Sequence, residues 1–144
     1  MIFLGEQLKR LRKEMKLTQK ELGELLDICN VGYSDYERGK AIPPIEKLIK
    51  LAEIHHTTIQ YIVTGEESSV VFDEKNITPF PKRLQELRIK SGITQAKIAQ
   101  TLQVAEVTYQ RYEYGDFEPK LDKLLKLANL FDVTVDELLG RNKK

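Results

Sequence analysis

The sequence predicts an all-α protein made of two tandem five-helix domains. Three observations carry this. The stretch Leu17 to Gly39, LTQKELGELLDICNVGYSDYERG, reads as a helix, a tight turn and a second helix. It recurs from Ile93 to Gly115 as ITQAKIAQTLQVAEVTYQRYEYG, at an offset of 76 residues. At that offset Leu11, Arg12, Thr18, Gln19, Leu26, Val31, Tyr33, Tyr36, Glu37, Pro43, Leu48, Leu51, Ala52 and Thr58 return as identical residues, with no gap until the end of each copy. Third, helix formers dominate and no long stretch alternates with period two. Two copies are too few for a solenoid, which needs at least ~3 repeats. Each copy, about 60 to 65 residues long, must therefore close its own core, which is small but viable.

The elements follow in order. Leu4, Leu8, Leu11 and Met15 place one apolar stripe on a first helix, from Gly5 to Lys16, whose other faces carry Lys9, Arg10, Lys13 and Lys16. Thr18 caps the second helix, and Glu21 three residues on completes a capping box. Leu22, Leu25 and Leu26 make its inner face. Asp27-Ile28-Cys29 leaves room only for a sharp connection. The third helix carries Ile28, Val31, Tyr33 and Tyr36 and stops at Gly39, where glycine takes the left-handed conformation without a Cβ penalty. Pro43-Pro44 opens a fourth helix, with Ile45, Leu48, Ile49, Leu51 and Ala52 inward. Thr57 or Thr58 caps a fifth, with Ile59, Ile62 and Val63, and Gly65 closes the domain.

Residues 1–65 thus form the first domain, 66–78 a linker, and 79–144 the second. The linker is acidic and polar except for Val70-Val71-Phe72, which is read as a short strand, a docked peg or a dimer contact. About 16 residues between Thr64 and Pro81 would span ~50 Å if extended, enough to reach half-sites ~34 Å apart. In the second copy Pro81 starts the first helix, with Leu84, Leu87 and Ile89 on or beside its inner face. Ile98, Ala99 and Leu102 serve the second helix, and Val104, Val107, Tyr109 and Tyr112 the third. Pro119 to Leu130 is the fourth helix; Thr134 caps the fifth, and Arg141 to Lys144 is a frayed basic tail.

Composition narrows the function. A lone cysteine, Cys29, excludes an internal disulfide and a cysteine-based zinc site, and it suits a reducing cytoplasm. Met1-Ile2-Phe3-Leu4 is too short for a signal peptide, and no apolar run approaches the ~18 residues of a membrane span. Net charge is +1, with residues 1–66 balanced at ten Lys/Arg against ten Asp/Glu and residues 77–144 carrying twelve against nine. Nucleic-acid binding therefore needs local patches rather than a global field. His55 and His56 are adjacent rather than at i, i+4, the serines lack a base at motif spacing, and no glycine-rich phosphate loop occurs. Neither an enzyme nor a metal, cofactor or small-molecule binder is expected.

Two short helices joined this tightly resemble a helix-turn-helix, whose second helix enters the DNA major groove. Thr18-Gln19, the Leu22/Gly23/Leu26 face, Tyr36-Glu37-Arg38-Gly39, Pro43, Leu48, Ala52 and the Thr58…Ile62 segment give the match its specificity. Each copy resembles the lambda-repressor-like, five-helix DNA-binding domain of the phage-repressor and Cro type of regulators, and the likeness covers nearly the whole chain outside the linker. The resemblance implies double-stranded DNA as partner and a homodimer as a further assembly. It implies that Gln19 and Gln95 contact phosphates and brace the third helix. It implies base-facing positions at Asn30, Val31, Gly32, Ser34 and Asp35, and at Glu106, Val107, Thr108, Gln110 and Arg111. Arg38 and Lys40 would lie near phosphates. Arg12 with Glu37, and Arg88 with Glu113, would form partly buried ion pairs tying the first helix to the third.

The copies depart from the pattern in different ways. Tyr114 and Asp116 replace Arg38 and Lys40, and Cys29 and Ala105 replace the usual hydroxyl cap of the third helix. Gly32 weakens the first recognition helix by ~1 kcal/mol relative to Ala. Gln110 and Arg111 suit adenine and guanine edges, so the second domain is expected to read bases more strongly. A sequence-specific regulator acting as a repressor is the leading expectation. The alternative is a protein-interaction or dimerisation module that kept the fold, because fold alone does not decide function.

Overall fold

A computed structural model describes residues 4–144, which divide into two compact units between Ser69 and Val70. The first holds α1 (Leu4–Glu14), α2 (Gln19–Leu25), α3 (Asn30–Glu37), α4 (Ile45–Ile54) and α5 (Ile59–Thr64). The second begins with β1 (Phe72–Ile77) and continues with α6 (Phe80–Ser91), α7 (Gln95–Leu102), α8 (Glu106–Tyr114), α9 (Leu121–Phe131), α10 (Val135–Leu138) and β2 (Arg141–Lys143). The Met1-Ile2-Phe3 part of the apolar start lies outside the described residues.

Each unit closes around helical stripes. Leu8, Leu22, Leu26, Tyr33, Leu51, Ile59 and Ile62 are fully buried in the first, and Leu84, Ile98, Leu102, Tyr109, Leu127 and Leu138 in the second. Thr18 accepts from the Glu21 N–H while Glu21 accepts from the Thr18 N–H, a complete capping box. Thr58, Thr94 and Thr134 cap α5, α7 and α10 in the same way by accepting one N–H each. The left-handed turns also repeat, at Lys16 and Gly92, Asp27 and Gln103, Gly39 and Gly115, and His56 and Asp132.

Several expected core positions are exposed. Met15 lies past the end of α1; Leu25 falls beside the narrow Leu22/Leu26 stripe of the seven-residue α2; Ile89 lies five residues after Leu84, about 140° round the helix. The fourth helices start at Ile45 and Leu121 rather than at the prolines, because Pro44 and Lys120 hold extended ψ angles of 168° and 163°.

The chain terminus differs most from expectation. Arg141 to Lys143 is not a frayed tail but a strand, paired antiparallel with β1 in the register Phe72↔Lys143, Asp73↔Asn142 and Ile77↔Arg141, with a bulge between Asp73 and Ile77. The Arg141 guanidinium donates to Asp136 at 2.7 Å and lies 4.9 Å from the Phe72 ring centroid. Both charges are almost fully buried, and burial of charge requires such pairing. Arg83 adds bonds to the Glu137 carbonyl, the Thr78 hydroxyl and the Asn142 side chain. Gly140, at φ +90°, passes so close to the Thr78 carbonyl that any Cβ would overlap it. Of the three readings of Val70-Val71-Phe72, the last residue begins a strand and docks on unit 2. Residues 65–71 separate α5 from β1, and the Val71 carbonyl already accepts from the Lys144 N–H, so the connection is shorter than the sequence suggests.

Candidate nucleic-acid interface

The turn between α2 and α3 depends on one left-handed residue and one small one. Asp27 sits at φ 58° and Gln103, its counterpart, at φ 59°. The chain then doubles back so that the Ile28 N–H reaches the Gly23 carbonyl at 2.9 Å, and the Val104 N–H the Ala99 carbonyl at 3.0 Å. A Cβ on Gly23 would lie 3.1 Å from the Ile28 carbonyl oxygen, and unit 2 carries that methyl as Ala99. The third helix starts at once. The Cys29 sulfur accepts from the Gly32 N–H at 3.3 Å, whereas Ala105 offers α8 no side-chain cap.

The third helix is anchored from its inner side. Arg12 donates from Nε to Glu37 Oε2 at 2.7 Å and from Nη2 to Oε1 at 3.2 Å, and its Nη1 donates to the Leu17 carbonyl at 2.9 Å. Arg88 grips Glu113 in the same fork, at 2.6 and 3.2 Å. The Glu37 and Glu113 side chains are 3% and 2% exposed, so these are interior ion pairs. Burial acts to raise the Glu37 carboxyl, but hydrogen bonds from Arg12 and Gln19 outweigh it and hold the group below the usual carboxylate range. Hydrogen bonds to Glu37 and Glu113 hold the Arg12 and Arg88 guanidiniums, respectively, above their ordinary value. Burial, with the adjacent carboxylate, pushes the Tyr33 and Tyr109 phenols far up, so both stay neutral.

Two lysines that sequence reasoning missed complete the anchor. Lys47 Nζ on α4 donates to the Leu26 carbonyl at 2.7 Å, and Lys123 Nζ on α9 to the Leu102 carbonyl at 2.9 Å. Each closes the carbonyl end of the helix before the turn, where free C=O groups favour a cation. The signal was present: Lys47 and Lys123 are identical at the 76-residue offset.

With Tyr33 and Tyr109 inward, the opposite face of each third helix is left outside. On α3, Asn30 and Val31 are exposed and Ser34 and Asp35 half-buried; on α8, Glu106, Val107 and Arg111 are exposed and Thr108 and Gln110 half-buried. Arg38 and Lys40 are exposed beyond α3. Gln19 and Gln95 open α2 and α7, each donating to the buried glutamate at 3.2 Å. In unit 2 Gln110 also donates to Gln95 at 3.4 Å, giving a polar chain from the outer face of α8 to Glu113. Ser34, in the matching place, is too short for that bridge. Among the described residues no three His, Cys, Asp or Glu side chains are grouped to hold a metal, and no helix is long and apolar enough to cross a membrane.

Comparison with known proteins agrees with this geometry. The helix-turn-helix family model matches twice, at residues 8–62 and 84–138. The chain is 48% identical over 62 residues to the HTH-type transcriptional regulator AnsR of Bacillus subtilis, covering 43% of this chain and 53% of that protein. It is 29% identical over 125 residues to the HTH-type transcriptional regulator DicA of Escherichia coli, covering 85% and 89%. It is 33% identical over 60 residues to the cryptic phage CTXphi transcriptional repressor RstR of Vibrio cholerae, covering 42% and 54%. The chain thus spans about half the length of AnsR and RstR and most of DicA. The family-model matches span both units, each with its third helix anchored from within and bare outside, and the chain therefore belongs to the helix-turn-helix family.

Proposed function

We propose that the protein is a cytoplasmic, sequence-specific regulator that binds double-stranded DNA and represses transcription, with residues 1–65 and 79–144 as its two helical domains and β1 joined to the second. The observation that carries this is the outer face of α8. Glu106, Val107 and Arg111 are exposed and Thr108 and Gln110 half-buried on the face opposite the buried Tyr109 and Tyr112. Gln110 and Arg111 match the donor and acceptor patterns of adenine and guanine in the major groove, and Glu106 can accept from a cytosine amino group. Gln19, Gln95, Arg38 and Lys40 supply phosphate contacts, which fix register rather than sequence. Selection of binding sites from random DNA tests the reading. Arg111→Ala should relax the preference by ~1–3 kcal/mol at one position, while Arg38→Ala weakens all sequences alike and lowers the salt slope by ~1. A selection in which Arg111→Ala recovers the wild-type motif while Asn30→Ala loses it assigns base reading to unit 1 instead.

A second reading concerns unit 1 alone. Val31 is 65% exposed on α3, Leu25 and Ile42 are exposed too, and Asp35 repels phosphates. These features favour a protein or second-copy contact through that face. DNA affinity unchanged by both Asn30→Ala and Arg38→Ala supports it; a loss in either removes it.

A further inference from the structure

The sharpest difference between the two recognition faces lies in the loop after α8. Phe117 stands where unit 1 has Ala41, and Arg111 where unit 1 has Asp35. The Phe117 ring packs edge-on against Tyr112, with centroids 5.5 Å apart and planes at 90°. Tyr112 meets Tyr109 at 6.2 Å and 80°, and both tyrosines are buried. Three rings therefore run from the core to the surface. The last, 41% exposed, lies 6.0 Å from the central carbon of the Arg111 guanidinium. The Asp116 N–H, bonded to the Arg111 carbonyl at 3.0 Å, ties the loop back to α8. Unit 1 has the first two rings, Tyr33 and Tyr36 at 6.3 Å, but neither the third ring nor the arginine.

We infer that Phe117 is a positioning residue for base recognition by Arg111. An exposed arginine has much rotamer freedom to lose on binding. A ring face attracts the guanidinium, and this ring is fixed from below by Tyr112. Arg111 is thereby held beside the outer face of α8 before DNA arrives, and specificity improves because less ordering remains to be done. Phe117 needs no contact with DNA for this. The inference rests on Arg111 facing bases, as proposed above.

The test uses the full chain. In the DNA-free protein, relaxation of the arginine Nε–H groups should show Arg111 more ordered than Arg38, against which no aromatic ring packs among the described residues. Phe117→Leu should lower that order, and Phe117→Tyr should retain it. In binding, Phe117→Leu should reduce discrimination for the base pair read by Arg111 about 2- to 5-fold, with the salt slope unchanged because phosphate contacts persist. Wild-type Arg111 as mobile as Arg38 overturns the inference without any variant. So does a Phe117→Leu protein with unchanged order and preference. If Arg111→Ala itself leaves the preference unchanged, base reading by Arg111 fails and the role of Phe117 fails with it. If Arg111→Ala shifts the preference and Phe117→Leu does not, only Phe117 is removed.

Discussion

Arg12→Met tests whether the interior ion pair anchors the recognition helix of unit 1. Methionine keeps the stem but removes the fork that donates to both Glu37 oxygens and the Leu17 carbonyl. The Glu37 side chain, 3% exposed, is then left charged with neutral partners alone, the Gln19 amide and the Tyr33 hydroxyl. An uncompensated buried charge costs about 3–5 kcal/mol, against under ~1 for an exposed pair. A domain this small has roughly 3–10 kcal/mol in total at ~0.05–0.15 per residue, so unit 1 should sit at the edge of unfolding. Its transition should fall by at least ~12 °C at about 4 °C or more per kcal/mol. Calorimetry of the full chain, with hydrogen exchange of α1 and α3 peptides to identify the unit, measures this. The sign of the pH dependence adds a check. In the wild type the Glu37 carboxyl is held low, so its contribution is present above the ordinary carboxyl value and lost as pH falls through the folded value. Without Arg12, burial raises the carboxyl, and mild acid neutralises it, so the deficit relative to wild type should shrink from pH 7 to pH 5. Adding Glu37→Met should recover part of the loss. A shift of under ~1 kcal/mol for Arg12→Met refutes the buried anchor.

Three further outcomes follow from the same geometry. Burial holds His55 below the ordinary histidine value, outweighing Glu14. Its contribution is therefore present above about pH 6.5 and declines as pH falls, and His55→Phe, the residue found at Phe131, should flatten the melting curve of unit 1 between pH 7.5 and 5.5. Gly140→Ala puts a methyl into the Thr78 carbonyl at a left-handed position and should destabilise unit 2 by more than ~1 kcal/mol, seen as rapid exchange in β1 and β2; Gly23→Ala, already present as Ala99, should cost under ~1. Lys123→Met leaves the Leu102 carbonyl without its charged donor and should cost ~1–3 kcal/mol in urea unfolding.

Some of this was legible residue by residue. The capping threonines, the Leu22/Leu26 and Ile98/Leu102 stripes and the inward tyrosines are local patterns, and each copy corroborates the other. The Arg12–Glu37 and Arg88–Glu113 pairs could be named only through the family likeness, because 25 residues separate the partners. Lys47 and Lys123 repeat, but a lysine on an amphipathic helix has the pattern of a solvated one, and nothing local shows the carbonyl each one reaches. Arg141 is illegible for a related reason: a short basic segment carries no pattern that distinguishes a free tail from a strand.

The helical class, the repeat and the helix-turn-helix can be read from local pattern, because turn chemistry and 3.6-residue periodicity are written within a few residues of one another. Contacts between residues far apart in the chain emerge only in the folded protein. Folding brought β2 onto β1, buried Arg141 against Asp136 and Phe72, and shortened the connection between α5 and β1. It also set Phe117 edge-on against Tyr112 beside Arg111. Partnerships of that kind depend on where helices cross and which carbonyl or ring is left uncovered there. No local period encodes them; the folded core does.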